Sequence, residues 1–499
     1  MKLAPTSYVL SALILAVGLT GCGEVDDSAH SGENNGRVHV ETRTAQQELR
    51  PTNSSDPFGY EGAEAQSIVS PGGDYRVWWT DEGEHAVPGA DVDGSGVPDY
   101  VEMVAEVADE VAQKLHDNGW KIAMNDDAGG AGEPPGGDGL FDIYLVDFSA
   151  GDGHYSRDWC TTNEHGVQQC AGHFRLENDF AGLNYPSPEY AARLVLSHEY
   201  FHAVQNAYTS DLPQWFSEGS ATWFEEYFDP SQDDFERLTS LYFDEHDRTL
   251  NDRGRGPSDA FAYGASIFVY FLELHIGADG VRAVFERLAT GEELLAAIEA
   301  EVADTLGSLQ ETFDLFATYN LFTGTYWVSD NGYPDAERFM GVEVESQVVD
   351  GAFNWNLDAD PWAARYIKLT FDEAITLQKT PLDDFVGMPE FIAVRHAEYT
   401  ADGTMHVVGS DEATRFGPEM SPLFVVISNG HTDDVRAAAL QVRLAGPDDS
   451  GQGDEIIVER NDDNAEEGGC STTPGGVPAA GLVWFLFVAV AFRRSGAGY

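Results

Sequence analysis

The chain has 499 residues, a formal net charge of -59, and a hydrophobic fraction of 42%. The length predicts two folded units plus tails, and the apolar content is enough for buried cores, which excludes a wholly disordered chain. The acidic balance and the small number of lysines argue against a nucleic-acid-binding protein, because phosphate contacts need basic side chains.

Residues 1–22 have the features of an export signal. Lys2 gives a positive start, and the apolar run that follows is too short to span a bilayer. The run ends in Leu-Thr-Gly-Cys at Cys22, which resembles a bacterial lipoprotein signal, in which that cysteine carries the lipid. We expect the polar residues 23–65 to form a flexible tether or a pro-segment ahead of a folded domain over 66–335.

An acidic turn near the start of that domain matches the twelve-residue calcium-binding loop. Oxygen donors stand at loop positions one, three, five, nine and twelve, a glycine stands at six, and the carbonyl at seven completes the set. A predicted helix follows the loop, but no helix precedes it, so we expect a structural Ca²⁺ site of the loop–helix kind. The alternative is an acidic turn that binds no metal. The candidate calcium ligands are Asp91, Asp93, Ser95, Val97, Asp99 and Glu102.

Two features lie between this loop and the centre of the chain. Residues 142–147 alternate between apolar and polar side chains, which predicts a strand. Cys160 and Cys170 stand close together in a polar segment, and export to an oxidising compartment predicts a disulfide between them. A zinc site is the alternative, but His165 has no partner at a suitable spacing.

The central motif is a pair of histidines four residues apart. His198 and His202 share one face of a helix, so both imidazoles can bind one Zn²⁺. Ser187 is the predicted N-cap and Pro188 the first helical residue. Glu199 lies beside the site, cannot easily reach a metal that both histidines hold, and is the candidate general base. The alternative is a helix with two exposed histidines.

A catalytic zinc site needs a third protein ligand and one open position. Pro213 is expected to start a second helix, and a short loop allows the two helices to pack antiparallel, which turns Glu218 toward the histidines. Glu225 and Glu226 are competing ligand candidates. We expect them to lie behind the ligands or to face solvent.

The two helices together carry a family resemblance. His198-Glu-x-x-His202 followed by Trp215-x-x-Glu218-Gly-x-Ala resembles the gluzincin metallopeptidases, and within them the group whose third ligand sits in a Glu-Gly-x-Ala helix. The longer histidine pattern of the metzincins is absent. The resemblance covers roughly residues 90–285. It implies an α+β zincin-like domain in which a zinc-activated water attacks the peptide bond and Glu199 transfers the proton to the leaving amine.

Peptide hydrolysis also needs a donor for the tetrahedral oxyanion. Tyr263, in the run Tyr263-Gly-Ala-Ser266, is the candidate, with His275 behind it at the end of a helix predicted from Ser266 to His275. An ordinary core aromatic residue is an equally good interpretation of Tyr263.

The pattern changes between residues 336 and 446. Short runs of β-branched and aromatic residues separated by turn residues predict a small all-β, sandwich-like domain. Trp355 and Trp362 are expected to be core residues there. The predicted strands are 366–371, 391–396, 405–408, 423–428 and 438–444.

The C-terminal part begins with an acidic, glycine-rich segment, 447–469, which we expect to be a linker. Residues 470–499 contain Cys470, an apolar run and then Arg493-Arg494, which fits a membrane anchor with its basic end in the cytoplasm. This layout resembles the sorting signal of myxobacterial surface proteins, and the whole chain resembles myxobacterial surface metalloproteases. A plain tail anchor is the alternative.

These features predict an exported zinc endopeptidase at the outer membrane or cell surface that acts on protein or peptide substrates. The membrane is reached through the lipid, the C-terminal anchor or both. One alternative is a surface binding or adhesion module on a metallopeptidase-like scaffold, against which the intact Glu199 argues. Another is a zinc exopeptidase, which would need a closed cleft or an acidic residue that binds the substrate amine, and the sequence assigns neither.

Overall fold

The computed structural model of this protein describes most of residues 50–446. The predicted signal segment, the linker and the C-terminal anchor, as well as most of the predicted tether, lie outside the described residues. Within 50–446 the description leaves out 53–55, 57, 61, 126–134, 149–150, 253, 256–258, 328–331, 335, 382–390, 397–405, 408–412 and 433–434.

The first part of the chain forms a five-stranded sheet. Its strands are β1 (Gln66–Val69), β2 (Tyr75–Trp79), β3 (Phe141–Val146), β4 (Gly153–Thr162) and β5 (Gln168–Glu177). They lie in the order β1-β2-β3-β5-β4, with β2, β3 and β5 parallel and each outer strand antiparallel to its neighbour. The strand predicted at 142–147 is β3, and β4 forms one edge of the sheet.

The predicted disulfide is confirmed. Cys160 on β4 and Cys170 on β5 stand opposite each other in the antiparallel register and are bonded.

Eight helices are described in and around this sheet. They are α1 (Asp99–Asp117), α2 (Pro188–Tyr208), α3 (Gln214–Phe228), α4 (Asp234–Phe243), α5 (Phe261–Gly264), α6 (Ser266–Leu288), α7 (Leu294–Val302) and α8 (Leu309–Leu321). The predicted start of α2 is confirmed: the Ser187 hydroxyl accepts a hydrogen bond from the Tyr190 N–H at 3.1 Å, and Pro188 is the first helical residue.

The helix predicted over Ser266–His275 is longer than expected. It continues past a kink at Gly277 to Leu288. Together α5 and α6 are the one stretch among the described residues that is long and apolar enough to cross a membrane, and more than half of its apolar window is buried inside the fold.

The second part of the chain is built from two antiparallel-rich sheets. The strands are β6 (Glu345–Val348), β7 (Phe353–Ala359), β8 (Ala363–Thr370), β9 (Ile375–Pro381), β10 (Phe391–His396), β11 (His406–Val407), β12 (Thr414–Phe416), β13 (Leu423–Asn429) and β14 (Arg436–Leu444). One sheet has the order β11-β10-β13-β8-β6 and the other β12-β9-β14-β7. Residues of both sheets, such as Ile367 and Leu440, share one apolar core.

The structure thus confirms the coarse prediction of a mixed helical and β-sheet part followed by a β-rich part. The strand predicted at 391–396 agrees with β10 at both ends, and the other four overlap β8, β11, β13 and β14. Strands β6, β7, β9 and β12 were not predicted. In β7 the exposed alternate positions carry polar residues such as Asn354 and Asn356, so its sequence lacks a run of β-forming residues.

The two parts are in direct contact. Trp362 is fully buried, and its ring centroid lies 5.4 Å from that of Phe268 and 5.5 Å from that of Phe313. The Tyr366 hydroxyl donates to the Ala317 carbonyl at 2.9 Å. The face of the β8–β13 sheet that points away from the core shared by the two sheets is therefore covered by helices. The predicted domain boundary between 66–335 and 336–446 stays a prediction. Trp362 is a core residue as expected, and Trp355 is half-buried.

The end of the predicted tether packs onto the sheet instead of standing free. The buried Arg50 guanidinium donates to the carboxylates of Asp142 and Asp158, and both carboxylates are fully buried. The Arg175 guanidinium donates to Asp56 at 2.9 Å. Folded structure therefore begins by Arg50, about fifteen residues before the boundary at 65 that the polar composition suggested.

This network predicts a large effect of Arg50→Ala on stability. The substitution leaves two buried carboxylates without their shared cation, so the free energy of unfolding should fall by about 3–5 kcal/mol. The measurement is chemical unfolding of wild type and variant.

The matched control is Arg237→Ala. The Arg237 side chain is 67% exposed and pairs with Asp234, and removal of an exposed pair costs at most about 1 kcal/mol. Equal losses for the two variants would contradict a structural role for the N-terminal segment.

Candidate metal centre

Helices α2 and α3 bring three predicted ligands together. The Nε2 atoms of His198 and His202 are 3.1 Å apart. The Glu218 Oε2 atom lies 3.3 Å from Nε2 of His198 and 3.4 Å from Nε2 of His202. All three side chains are mostly buried, and their ligand atoms converge on one point between the two helices.

These separations fit a tetrahedral zinc site. Zinc binds imidazole nitrogen and carboxylate oxygen at about 2.0–2.2 Å, which places neighbouring ligands of a tetrahedron about 3.3–3.5 Å apart. The observed 3.1, 3.3 and 3.4 Å match that spacing closely. Two imidazole nitrogens and one carboxylate oxygen are also a donor set that zinc prefers.

The second nitrogen of each histidine is held by a hydrogen bond. His198 Nδ1 lies 2.6 Å from Glu225 Oε1, and His202 Nδ1 lies 2.9 Å from Gln205 Oε1. A Nδ1–H donated to these oxygens leaves the Nε2 lone pairs free for a cation, the arrangement typical of metal-binding histidines. Glu225 is thus behind the ligands as expected. Gln205 was not predicted, although its position three residues after His202 on the same helix is a usable signal.

The electrostatics of the site favour positive charge. Burial by itself would lower the pKa of His198, but the hydrogen bonds and charges of Glu218 and Glu225 outweigh it, so this pKa lies well above its ordinary value. Burial also raises the pKa of Glu218, yet His202 and His198 overcome that effect and hold it well below its usual range. Burial raises the pKa of Glu225 to about 7, with His198 opposing the rise.

Glu199 lies where β4 passes helix α2. Its Oε2 atom accepts a hydrogen bond from the Tyr155 N–H at 2.7 Å. Gly153 allows this approach, because a Cβ at that position would lie 2.3 Å from Cγ1 of Val195 and 3.1 Å from Cγ of Glu199. The carboxylate is therefore fixed by the edge strand and does not belong to the group of three converging ligand atoms.

Tyr263 lies against the same centre. Its ring is nearly parallel to that of His198, with centroids 5.7 Å apart. The negative charge of Glu218, followed by burial, raises the pKa of Tyr263 well above its ordinary value, so the phenol keeps its proton. Gly219 permits the close packing of α3 that positions Tyr263, since a Cβ there would lie 3.1 Å from the Ala265 carbonyl carbon.

The expectation that His275 stands behind Tyr263 was not met. His275 packs between Phe271 and Tyr319, with centroid distances of 4.6 and 5.3 Å. It is twelve residues further along the chain, and the helix carries it away from the metal centre. Burial lowers its pKa to about 4, so it is a neutral, half-buried residue.

The predicted calcium loop has a compact, hydrogen-bonded form. Asp91 accepts from the N–H groups of Gly94, Ser95 and Gly96, and Asp99 accepts from the Val92 N–H at 2.9 Å. Helix α1 begins at Asp99, as the sequence suggested.

Three of the six predicted calcium ligands gather in this loop. Carboxylate oxygens of Asp91, Asp93 and Asp99 lie within 4.8 Å of one another, and Glu102 is outside that group. The Ser95 hydroxyl donates to the Val97 carbonyl at 3.3 Å, which brings these two remaining candidates together.

No protein-family model matches this sequence, and no curated protein is similar to it at a significant level. The gluzincin resemblance therefore depends on the motif and on the geometry described above.

The contact between Glu225 and His198 predicts an effect on metal binding. Glu225→Gln removes the charge that orients and polarises the imidazole, and zinc affinity should fall about 10- to 100-fold. Competition with a chromophoric chelator would measure this change.

The control is Glu226→Gln, which removes the same charge one residue further along α3 at a side chain that is not among the converging ligand atoms. It should leave zinc affinity within about threefold of wild type, the size expected for loss of a remote charge. A loss of affinity as large as that of Glu225→Gln would rule out a specific role for Glu225.

Proposed function

We propose that the protein is an exported zinc-dependent metallopeptidase of the gluzincin type that hydrolyses peptide bonds in protein or peptide substrates. The observation that carries the proposal is the convergence of His198, His202 and Glu218 at 3.1–3.4 Å, with Glu199 fixed beside them by the edge strand. A zincin-like fold for the first part of the chain belongs to the same proposal.

Zinc would be held by the two imidazoles and by Glu218, and when bound it would supply a Lewis acid that lowers the pKa of a water to about 7. The remaining position of a four-coordinate site is left for that water or the substrate. No fourth His, Cys, Asp or Glu joins the three ligands in the described part of the chain.

The chain's own residues account for the proton transfers. Glu199 takes a proton from the attacking water and delivers it to the leaving amine, and the Tyr155 N–H holds one of its carboxylate oxygens in place. The Tyr263 phenol remains protonated and can donate to the oxyanion as the carbonyl becomes tetrahedral. Glu225 and Gln205 keep the two imidazoles oriented throughout.

The remaining parts of the proposal concern ions and location. A structural Ca²⁺ at the loop 91–102 would join the start of α1 to the segment before it. The N-terminal signal and the C-terminal anchor would place the enzyme at the outer membrane or cell surface, with protein or peptide substrates and no nucleic acid as partners.

The proposed mechanism predicts a specific effect of Glu199→Gln in the full-length chain. The variant keeps the three metal ligands and should bind zinc with wild-type stoichiometry, but hydrolysis of an unfolded protein should fall about 10²- to 10⁴-fold without the general base. Metal content and peptide release would be measured on the same samples.

The control is Glu189→Gln, which removes an exposed carboxylate in the first turn of the same helix. It should cleave at the wild-type rate, and a chelator should stop both active forms. Full activity of zinc-loaded Glu199→Gln would contradict the mechanism. Zinc binding without any cleavage by wild type would favour the binding-module alternative.

A separate prediction concerns the stabilisation of the fold by calcium. Sites of this kind in extracellular modules bind with dissociation constants of about 10⁻⁴–10⁻³ M. At ten times that concentration calcium should stabilise the fold by about 1.4 kcal/mol, measured by thermal unfolding and by calorimetric titration.

Asp91→Asn should abolish this stabilisation, because Asp91 is the first ligand of the loop. Glu84→Gln, an exposed acidic residue outside the loop, is the control and should respond to calcium as wild type does. The absence of calcium uptake by wild type at millimolar concentration would end the hypothesis.

A further inference from the structure

An additional acidic residue lies beside the metal centre. Asp152 directly precedes Gly153, the residue at which β4 comes into contact with helix α2 and with Glu199. Its backbone carbonyl accepts from the Glu177 N–H at 2.9 Å, so the residue is held in the sheet. Asp152 is therefore one residue away from a backbone position that touches the candidate general base.

The partners of Asp152 differ from those of Asp142 and Asp158. Its carboxylate accepts a hydrogen bond from the Tyr185 hydroxyl, and among the described residues no lysine or arginine forms an ion pair with it. By contrast, Asp142 and Asp158 share the Arg50 guanidinium. A half-buried carboxylate without a cation is costly, and a neutral phenol compensates only part of that cost.

Asp152 lies within electrostatic reach of Glu199 and Tyr263. Burial is the largest cause of a raised pKa at Asp152, and the charge of Glu199 contributes to it. Asp152 in turn is among the weaker causes that raise the pKa of Tyr263, after Glu218 and burial. Asp152 and Glu199 thus form a negative region at the beginning of the edge strand.

Tyr185, which donates the hydrogen bond to Asp152, packs beside two other aromatic side chains. The Tyr185 ring lies 5.7 Å from that of Phe180 and 6.4 Å from that of Tyr190, measured between centroids. The rings of Tyr185 and Tyr190 are half-buried, so part of each faces outward. A carboxylate next to aromatic faces is a setting that attracts organic cations through both charge and ring electrons.

We propose that Asp152 is a specificity-determining residue that binds an ammonium or guanidinium group of the substrate beside the metal centre. The proposal rests on the proposed peptidase function and gives it a substrate class, peptides with a positive charge close to the cleaved bond. That charge can come from a lysine or arginine side chain or from a free amino terminus. If the charge is that of a free amino terminus, Asp152 would be the acidic residue that an exopeptidase requires to bind the substrate amine.

The test compares matched peptides in the zinc-loaded full-length protein. Internally quenched peptides would carry lysine or its uncharged isostere norleucine at each position around the cleaved bond. Wild type should prefer the lysine peptide at one position by about 10- to 100-fold in kcat/KM, the effect of a hydrogen bond to a charged group.

Asp152→Asn should remove this preference. It keeps the shape and can still accept from Tyr185, so hydrolysis of the norleucine peptide by the same variant reports intact folding and chemistry. Glu164→Gln, in the exposed turn between β4 and β5, is the charge-matched control and should keep the preference. Equal losses on both peptides would overturn the proposal, and so would unchanged preferences both for lysine over norleucine and for a free over an acetylated amino terminus.

Acetylation of the peptide amino terminus distinguishes the two sources of charge. If Asp152 binds a lysine or arginine side chain, acetylated and free peptides should be cleaved alike. If it binds the terminal amine, acetylation should reproduce the loss seen with Asp152→Asn. Preference for neither kind of cation would count against the site.

A binding measurement separates this proposal from the proposed function. In a Glu199→Gln background, which does not turn over, calorimetry would compare lysine and norleucine peptides with and without Asp152→Asn. Binding of lysine that depends on Asp152, without hydrolysis by wild type, would keep the cation site and refute the peptidase. Hydrolysis without any charge preference would keep the peptidase function and refute the cation site.

Discussion

The chemistry available to this protein depends on the close antiparallel approach of helices α2 and α3. The Glu218 Oε2 atom on α3 lies 3.3 and 3.4 Å from the Nε2 atoms of His198 and His202 on α2, and no single helix could create these two contacts. Buried Trp215 and Phe216 hold α3 in the core, and they leave Glu218 on the side that faces α2. Three such groups close together in a buried place are stable when a cation lies between them.

The edge strand β4 positions the candidate general base, which the two helices alone do not hold. It passes so close to α2 that position 153 has room for no side chain, and the Tyr155 N–H reaches the Glu199 carboxylate. The candidate base is thereby tied to the sheet, while the metal ligands are tied to the helices. Asp152 directly precedes the same strand, so the features proposed for catalysis and for recognition meet at one corner of the sheet.

Packing contacts and ion pairs around this corner stabilise it. Trp362 joins the β-rich part to α3, which carries Glu218, and to α6, while Tyr366 joins it to α8. On the sheet, the Arg50 network buries several charges that satisfy one another. The high negative charge of the chain fits these observations, since the regions described near the centre attract cations.

Local patterns in the sequence determined the features that depend on neighbours along the chain. The four-residue spacing of His198 and His202, the cap at Ser187 and the strand 391–396 were all predictable, because helix and strand periodicity are short-range properties. The family motif added Glu218, and composition gave the coarse division into helical and β-rich parts. Function itself remains a proposal that follows from that motif and from the geometry.

Only the tertiary structure decided the rest. The sequence does not show that Arg50 belongs to the folded part, that His275 lies away from Tyr263, or that Asp152 stands beside Glu199. Each of these depends on which surfaces meet after the sheet and helices pack, over separations of up to about a hundred residues. Local propensity carries no information about such contacts. Many sequences share the same periodicity, and burial and pairing in the folded chain decide which surfaces come together.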